Sequence, residues 1–139
     1  MERARVLIAD DHAFVLHGLV NLLTDRFDVV AAVADGQQLV DAATRLRPDV
    51  VVTDISMPGM SVLEALVRLK GTGAKIVVLT LYADPELADA FIRSGASGFV
   101  EKLLATSELV PAVEHVLQGE VYCSTGVNAR RLSYGHPAH

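Results

Sequence analysis

Five short apolar runs punctuate the chain: Val6–Ala9, Val29–Val33, Val50–Val52, Ile76–Leu79 and Gly98–Val100. The clearest of them are β-branched and continuous rather than alternating, which is the pattern of strands covered on both faces. Between the runs, apolar residues return at helical spacing. Leu16, Leu19, Val20 and Leu23 stand at i, i+3, i+4 and i+7, and Leu39, Ala42, Ala43 and Leu46 repeat the pattern, with Pro48 forcing a stop just beyond. Ser61 and Glu64 have capping-box spacing ahead of Leu63, Leu66 and Leu69. Asp84-Pro85-Glu86 reads as an N-cap, a first-turn proline and an acidic first turn. Leu109, Val113, Val116 and Leu117 form a last stripe, with Gly119 as its stop. Pro111 is tolerable there if the helix starts near Ser107, so that the proline falls in the first turn.

Strand and helix therefore alternate five times. Such alternation predicts an α/β fold, a doubly wound parallel sheet with helices on both faces and right-handed crossovers. Ligands in such folds bind outside the carboxyl ends of the strands. From about Val121 onward the periodicity stops. Ser124-Thr125-Gly126, Arg130-Arg131 and Gly135-His136-Pro137 read as a linker or tail.

Composition narrows the class. A length of 139 residues suits one domain with a full core. A net charge of −5 argues against a broad nucleic-acid or anionic-membrane surface. Cys123 is the single cysteine, which excludes an internal disulfide and a multi-cysteine zinc site and fits a reducing compartment. No stretch approaches the roughly 20 apolar residues of a membrane span, and the first residues lack a signal-peptide core. A cytoplasmic protein with no membrane attachment is expected.

The candidate chemistry sits at the ends of the apolar runs. Asp10-Asp11 ends the first, Asp54 the third, Thr80 the fourth, and Lys102 follows the last. Adjacent carboxylates are costly unless a cation or solvent offsets them, and hard oxygen ligands suit Mg²⁺. Asp54, followed by a Pro58-Gly59 turn, is a candidate metal ligand or nucleophile toward phosphorus. Thr80 offers a hydroxyl to a phosphoryl oxygen, and Lys102 a point cation. His12, His17 and His115 have no metal-ligand spacing and read as solvated or half-buried structural residues.

Asp10-Asp11, Asp54 with Met57-Pro58-Gly59, Thr80 and Gly95-Ala96-x-Gly98-Phe99-x-x-Lys102 together resemble the receiver domain of bacterial two-component response regulators. The Gly-Phe stretch and Gly119-Glu120-Val121-Tyr122 resemble the branch, NarL/FixJ-like, whose receivers precede a LuxR-type helix-turn-helix. The resemblance implies a flavodoxin-like (βα)5 fold with five strands in the order 2-1-3-4-5, a receiver over residues 1–120 and a linker or tail over 121–139. It implies that Asp54 is phosphorylated by a sensor histidine kinase. Asp11, Asp54 and the Ser56 carbonyl would ligate Mg²⁺, with Asp10 acting through water. Thr80 and Lys102 would hold the phosphoryl oxygens. Thr80 and Phe99 would form the switch, Phe99 turning inward as Thr80 moves. The expected output is a phosphorylation-dependent homodimer, with DNA bound only through a C-terminal domain. Such a protein is a switch rather than an enzyme.

Three departures from the family pattern stand out: Ser61-Val62 in place of Asp-Gly, Leu81 after the switch threonine, and Leu103 in place of proline. The chain also ends before a helix-turn-helix, which suggests an excised or stand-alone receiver. Two competing readings are a phosphohydrolase of the haloacid-dehalogenase type and a phosphorylation-independent interaction module. The first wants a second carboxylate where Ser56 stands. The second would follow if Val62 and Leu81 disabled the pocket.

Overall fold

A computed structural model describes residues 2–82 and 84–127. The elements run β1 (Arg5–Ala9), α1 (Ala13–Thr24), β2 (Asp28–Val33), α2 (Gly36–Leu46), β3 (Val50–Asp54), α3 (Val62–Leu69), β4 (Lys75–Thr80), α4 (Pro85–Arg93), β5 (Gly98–Glu101), α5 (Ala105–Leu117) and β6 (Tyr122–Cys123). All strand pairs are parallel. The sheet order is β2-β1-β3-β4-β5-β6. The expectation of five strands is thus corrected to six. Tyr122–Cys123 is too short for a periodicity signal, and it is recruited by the open edge of β5, where Gly98 pairs with Tyr122 and Phe99 with Cys123. Arg130-Arg131 and Gly135-His136-Pro137 lie outside the described residues.

The strands divide their side chains between two layers, as period-2 geometry requires. Leu7, Val51, Ile76, Val78 and Phe99 pack under α2, α3 and α4. Val6, Ile8, Val50, Val52, Val77, Leu79 and Val100 pack against Leu19 and Leu23 of α1 and Leu109, Val113 and Val116 of α5. β3 is buried along its whole length, which explains its unbroken valine run.

Local chemistry sets the helix ends. Ser61 caps α3 by accepting the Glu64 N–H at 3.1 Å, Asp84 caps α4 ahead of Pro85, and Asp35 caps α2 by accepting the Gln38 N–H. α2 stops at Arg47, held at φ 49°, immediately before Pro48. α5 departs from expectation: it starts at Ala105, so Pro111 lies inside it. The missing N–H leaves the carbonyl of Ser107 unpaired in the helix, but Ser107 is exposed and water can serve it. Val62, one of the departures noted above, is 3% exposed and completes the core under α3.

Candidate functional site

The candidate residues converge at one edge of the sheet. Asp10 and Asp11 follow β1, Asp54 closes β3, Thr80 closes β4 and Lys102 follows β5. β1 lies between β2 and β3, so the chain reverses its winding direction there. That is the switch point where a crevice opens at the carboxyl ends of the strands.

Asp10 is fully buried and Asp54 is 5% exposed. Asp10 Oδ1 accepts the His12 N–H at 2.8 Å. Asp10 Oδ2 lies 2.7 Å from Lys102 Nζ, its ion-pair and hydrogen-bond partner. The same ammonium lies 3.3 Å from Asp54 Oδ2. Carboxylate oxygens of Asp10, Asp11 and Asp54 and a ring nitrogen of His12 all lie within 4.8 Å of one another.

Burial pushes the Asp54 carboxyl above its ordinary value; Lys102 pulls it back, Asp10 adds to the rise, and the Ser56 backbone hydrogen bond opposes it. For Lys102, burial acts to lower the ammonium, but its hydrogen bond to Asp10 and the charges of Asp54 and Asp10 outweigh that and hold it above its ordinary value. Lys102 therefore stays charged. Three carboxylates against one ammonium leave an excess of two negative charges in the pocket. Three clustered carboxylates and this charge excess fit a hard divalent cation.

Thr80 is fully buried, and its Oγ1 accepts the Tyr82 N–H at 3.1 Å. Phe99 is fully buried too, its ring 6.3 Å from that of Phe91. Ser56 is exposed, and only its backbone reaches Asp54. Four large apolar side chains sit in sequence beside pocket residues yet face solvent: Phe14, Leu81, Tyr82 and Leu103, all more than half exposed.

Two residues were missed by sequence reasoning. His12 is not merely a solvated histidine, since its Nδ1 lies 3.1 Å from Asp11 Oδ1. Adjacency to the aspartate pair was its one signal. Gly36 is the other. A Cβ there would fall 2.5 Å from Met60 Cβ, and its N–H donates to the Pro58 carbonyl at 3.3 Å. Gly36 thereby seats the loop that follows Asp54, and no pattern in a single sequence announces such a contact.

The sequence matches the response regulator receiver domain over residues 6–114. The chain belongs to that family. This receiver domain is 38% identical over 117 residues to the transcriptional regulatory protein DesR of Bacillus subtilis, a match covering 83% of this chain and 59% of DesR. The chain thus spans less than two thirds of that relative. A crystal structure of a LuxR-family two-component response regulator from Aurantimonas superposes with a TM-score of 0.87 at 30% identity, covering 96% of this chain and 98% of that one. The isolated receiver of RcsB from Salmonella enterica, solved with the phosphomimetic BeF3-, gives a TM-score of 0.83 at 27% identity over 92% of this chain and 98% of that one. The receiver is accordingly of the NarL/LuxR type within two-component signalling, and its family is regulatory. Among the described residues no helix is long and apolar enough to cross a membrane.

Proposed function

We propose that this receiver accepts a phosphoryl group on Asp54 from a sensor histidine kinase. The observation that carries the reading is the convergence of Asp10, Asp11 and Asp54 within 4.8 Å, with Lys102 Nζ 3.3 Å from Asp54. An Asp54 carboxylate oxygen forms the new bond to phosphorus, and the phosphorus–nitrogen bond of the donor phosphohistidine breaks, its electron pair leaving with the imidazole. Asp11, Asp54 and the Ser56 carbonyl would hold Mg²⁺, with Asp10 reaching it through water. The cation supplies charge neutralisation for the transferred group. Lys102 stays charged and offsets a phosphoryl oxygen directly. Thr80 Oγ1, which accepts the Tyr82 N–H, donates its own hydroxyl proton to another such oxygen, and Phe99 repacks in response. Asp54 loses no buried partner in the reaction, because Lys102 serves both states.

The exposed apolar rim of Phe14, Leu81, Tyr82 and Leu103 offers the docking surface for the kinase. Residues 1–120 form the receiver unit and 121–139 lead toward an output domain that binds DNA and controls transcription, in the cytoplasm. Phosphorylation would favour a homodimer of the whole regulator. The buried packing of Val62 supports a working pocket over a phosphorylation-independent module.

The reading is tested by incubating the protein with acetyl phosphate and Mg²⁺ and measuring intact mass. The wild type should gain one phosphoryl group and Asp54→Asn none. Equal mass shifts in the two would overturn the assignment.

A further inference from the structure

Glu108, in the first turn of α5, is a carboxylate only 7% exposed. A buried carboxylate needs partners. Those of Glu108 all come from residues 122–125: the Ser124 hydroxyl donates at 2.6 Å and the Tyr122 hydroxyl at 3.1 Å, while Thr125 donates its hydroxyl and, at 3.4 Å, its backbone N–H. Burial acts to raise the Glu108 carboxyl, but these hydrogen bonds outweigh it and hold it below its ordinary value, so the charged acceptor is favoured. Tyr122 also lies along α5. Its ring sits 5.6 Å from His115, seven residues and about two helical turns from Glu108.

The same segment is fastened to the sheet. The Ser124 N–H donates to the Phe99 carbonyl at 2.9 Å, and Cys123 pairs with Phe99 in register. Ser124 and Val127 are fully buried, and Val127 shares the core layer of Phe91 and Phe99. The first residues beyond α5 therefore touch the one strand whose aromatic residue is expected to respond to phosphorylation.

We propose that Glu108 is a latch that fastens residues 122–127 to α5 and β5, so that the exit from the receiver moves as one body with the strand carrying Phe99. The static latch stands on geometry alone; its use as a relay rests on the phosphorylation of Asp54 proposed above. A carboxylate that gathers several hydroxyls from one short segment ties that segment to its own helix. It makes the direction in which residues 122–127 leave α5 depend on the receiver.

Hydrogen–deuterium exchange of the whole chain, read on peptides covering 120–127, tests this. In Glu108→Gln the Thr125 amide, which donates to the carboxylate, should exchange roughly tenfold faster than in wild type, since hydrogen bonds to a charged acceptor are the stronger kind, while amides of β1 and β3 keep their rates. Thr125→Val, at an exposed position, should shift the same peptide in the same direction and serves if Glu108→Gln misfolds. Unchanged exchange in the folded variants overturns the latch. In a second arm, acetyl phosphate and Mg²⁺ are added and intact mass is followed in parallel. The wild-type peptide should change its exchange on phosphorylation, and Glu108→Gln should take up the phosphoryl group without that change. A variant that is phosphorylated and still responds as wild type overturns the relay. If wild type takes up no phosphoryl group, the reading of Asp54 fails, and the first arm still decides the latch.

Discussion

Lys102 ties the resting pocket together and, in the phosphorylation proposed above, would also serve its chemistry. Its ammonium lies within ion-pair distance of two nearly buried carboxylates. Removing the charge while keeping most of the volume, as in Lys102→Met, leaves Asp10 and Asp54 facing each other uncompensated. Phosphoryl uptake from acetyl phosphate should slow by roughly 100-fold, the scale of losing one preorganised contact to a developing anion. Stopped-flow or timed mass measurement checks this, and an unchanged rate would remove Lys102 from the mechanism. Asp54→Asn makes the converse stability test. Burial together with the Asp10 charge disfavours the ionised Asp54 more than Lys102 and the Ser56 backbone favour it, so an uncharged isostere should melt at a higher temperature than wild type in Mg²⁺-free buffer near pH 7. Scanning calorimetry settles the sign. In the phosphorylation proposed for Asp54, Leu81, more than half exposed beside buried Thr80, would keep water from the acyl phosphate. Leu81→Ala should shorten the phosphorylated lifetime several-fold, measured by loss of the phosphoryl mass after donor removal.

At the scale of elements, the sequence reveals what short-range chemistry dictates. Continuous valine runs mark buried strands, and Ser61, Asp84 and Pro85 mark helix starts because caps act within one turn. Strand ends could be placed for the same reason, and so could the pocket, since Asp10, Asp54, Thr80 and Lys102 each sit at such an end. Contacts between distant segments were illegible. β6 exists because β5 has an open edge, α5 starts two residues earlier than Pro111 alone suggests, and His12 turns its ring toward Asp11 only once the helix start is built. Gly36 is the clearest case. Its lack of a side chain is required by Met60, on a loop 24 residues further along the chain. Gly36→Ala should push that loop aside at a cost of about 1–3 kcal/mol. Urea unfolding should report the loss, and phosphoryl uptake should fall with it because the displaced loop carries the Pro58-Gly59 turn beside Asp54. A variant of wild-type stability would mean that Met60 yields freely.

For the whole molecule, the question is how a pocket at one sheet edge reaches the residues that leave the domain, and the polar cluster at Glu108 gives that connection a pH signature. The Glu108 carboxyl is held below its ordinary value of 4.5 in the folded chain. A depressed acid contributes stability above its unfolded value and loses it as pH falls through the folded one. Tyr122 behaves in the opposite sense. Burial first, then the Glu108 charge and hydrogen bond, push its phenol from 10.0 up to about 12. Its contribution is complete below its unfolded value and disappears as pH rises through the folded one. The cluster should therefore stabilise the fold over a plateau bounded by an acid limb from Glu108 and an alkaline limb from Tyr122. The groups within reach of the pair are the hydroxyls of Ser124 and Thr125 and the His115 ring, whose Nδ1 is 2.7 Å from Glu120. Unfolding free energies of wild type, Glu108→Gln and Tyr122→Phe, measured by urea titration across pH, separate the limbs. The gap between wild type and Glu108→Gln should be constant near neutrality and close on the acid side, while the gap to Tyr122→Phe should close on the alkaline side. If both gaps are flat with pH, the cluster is neutral packing, and the charged acceptor that ties the exit segment to α5 has no energetic role.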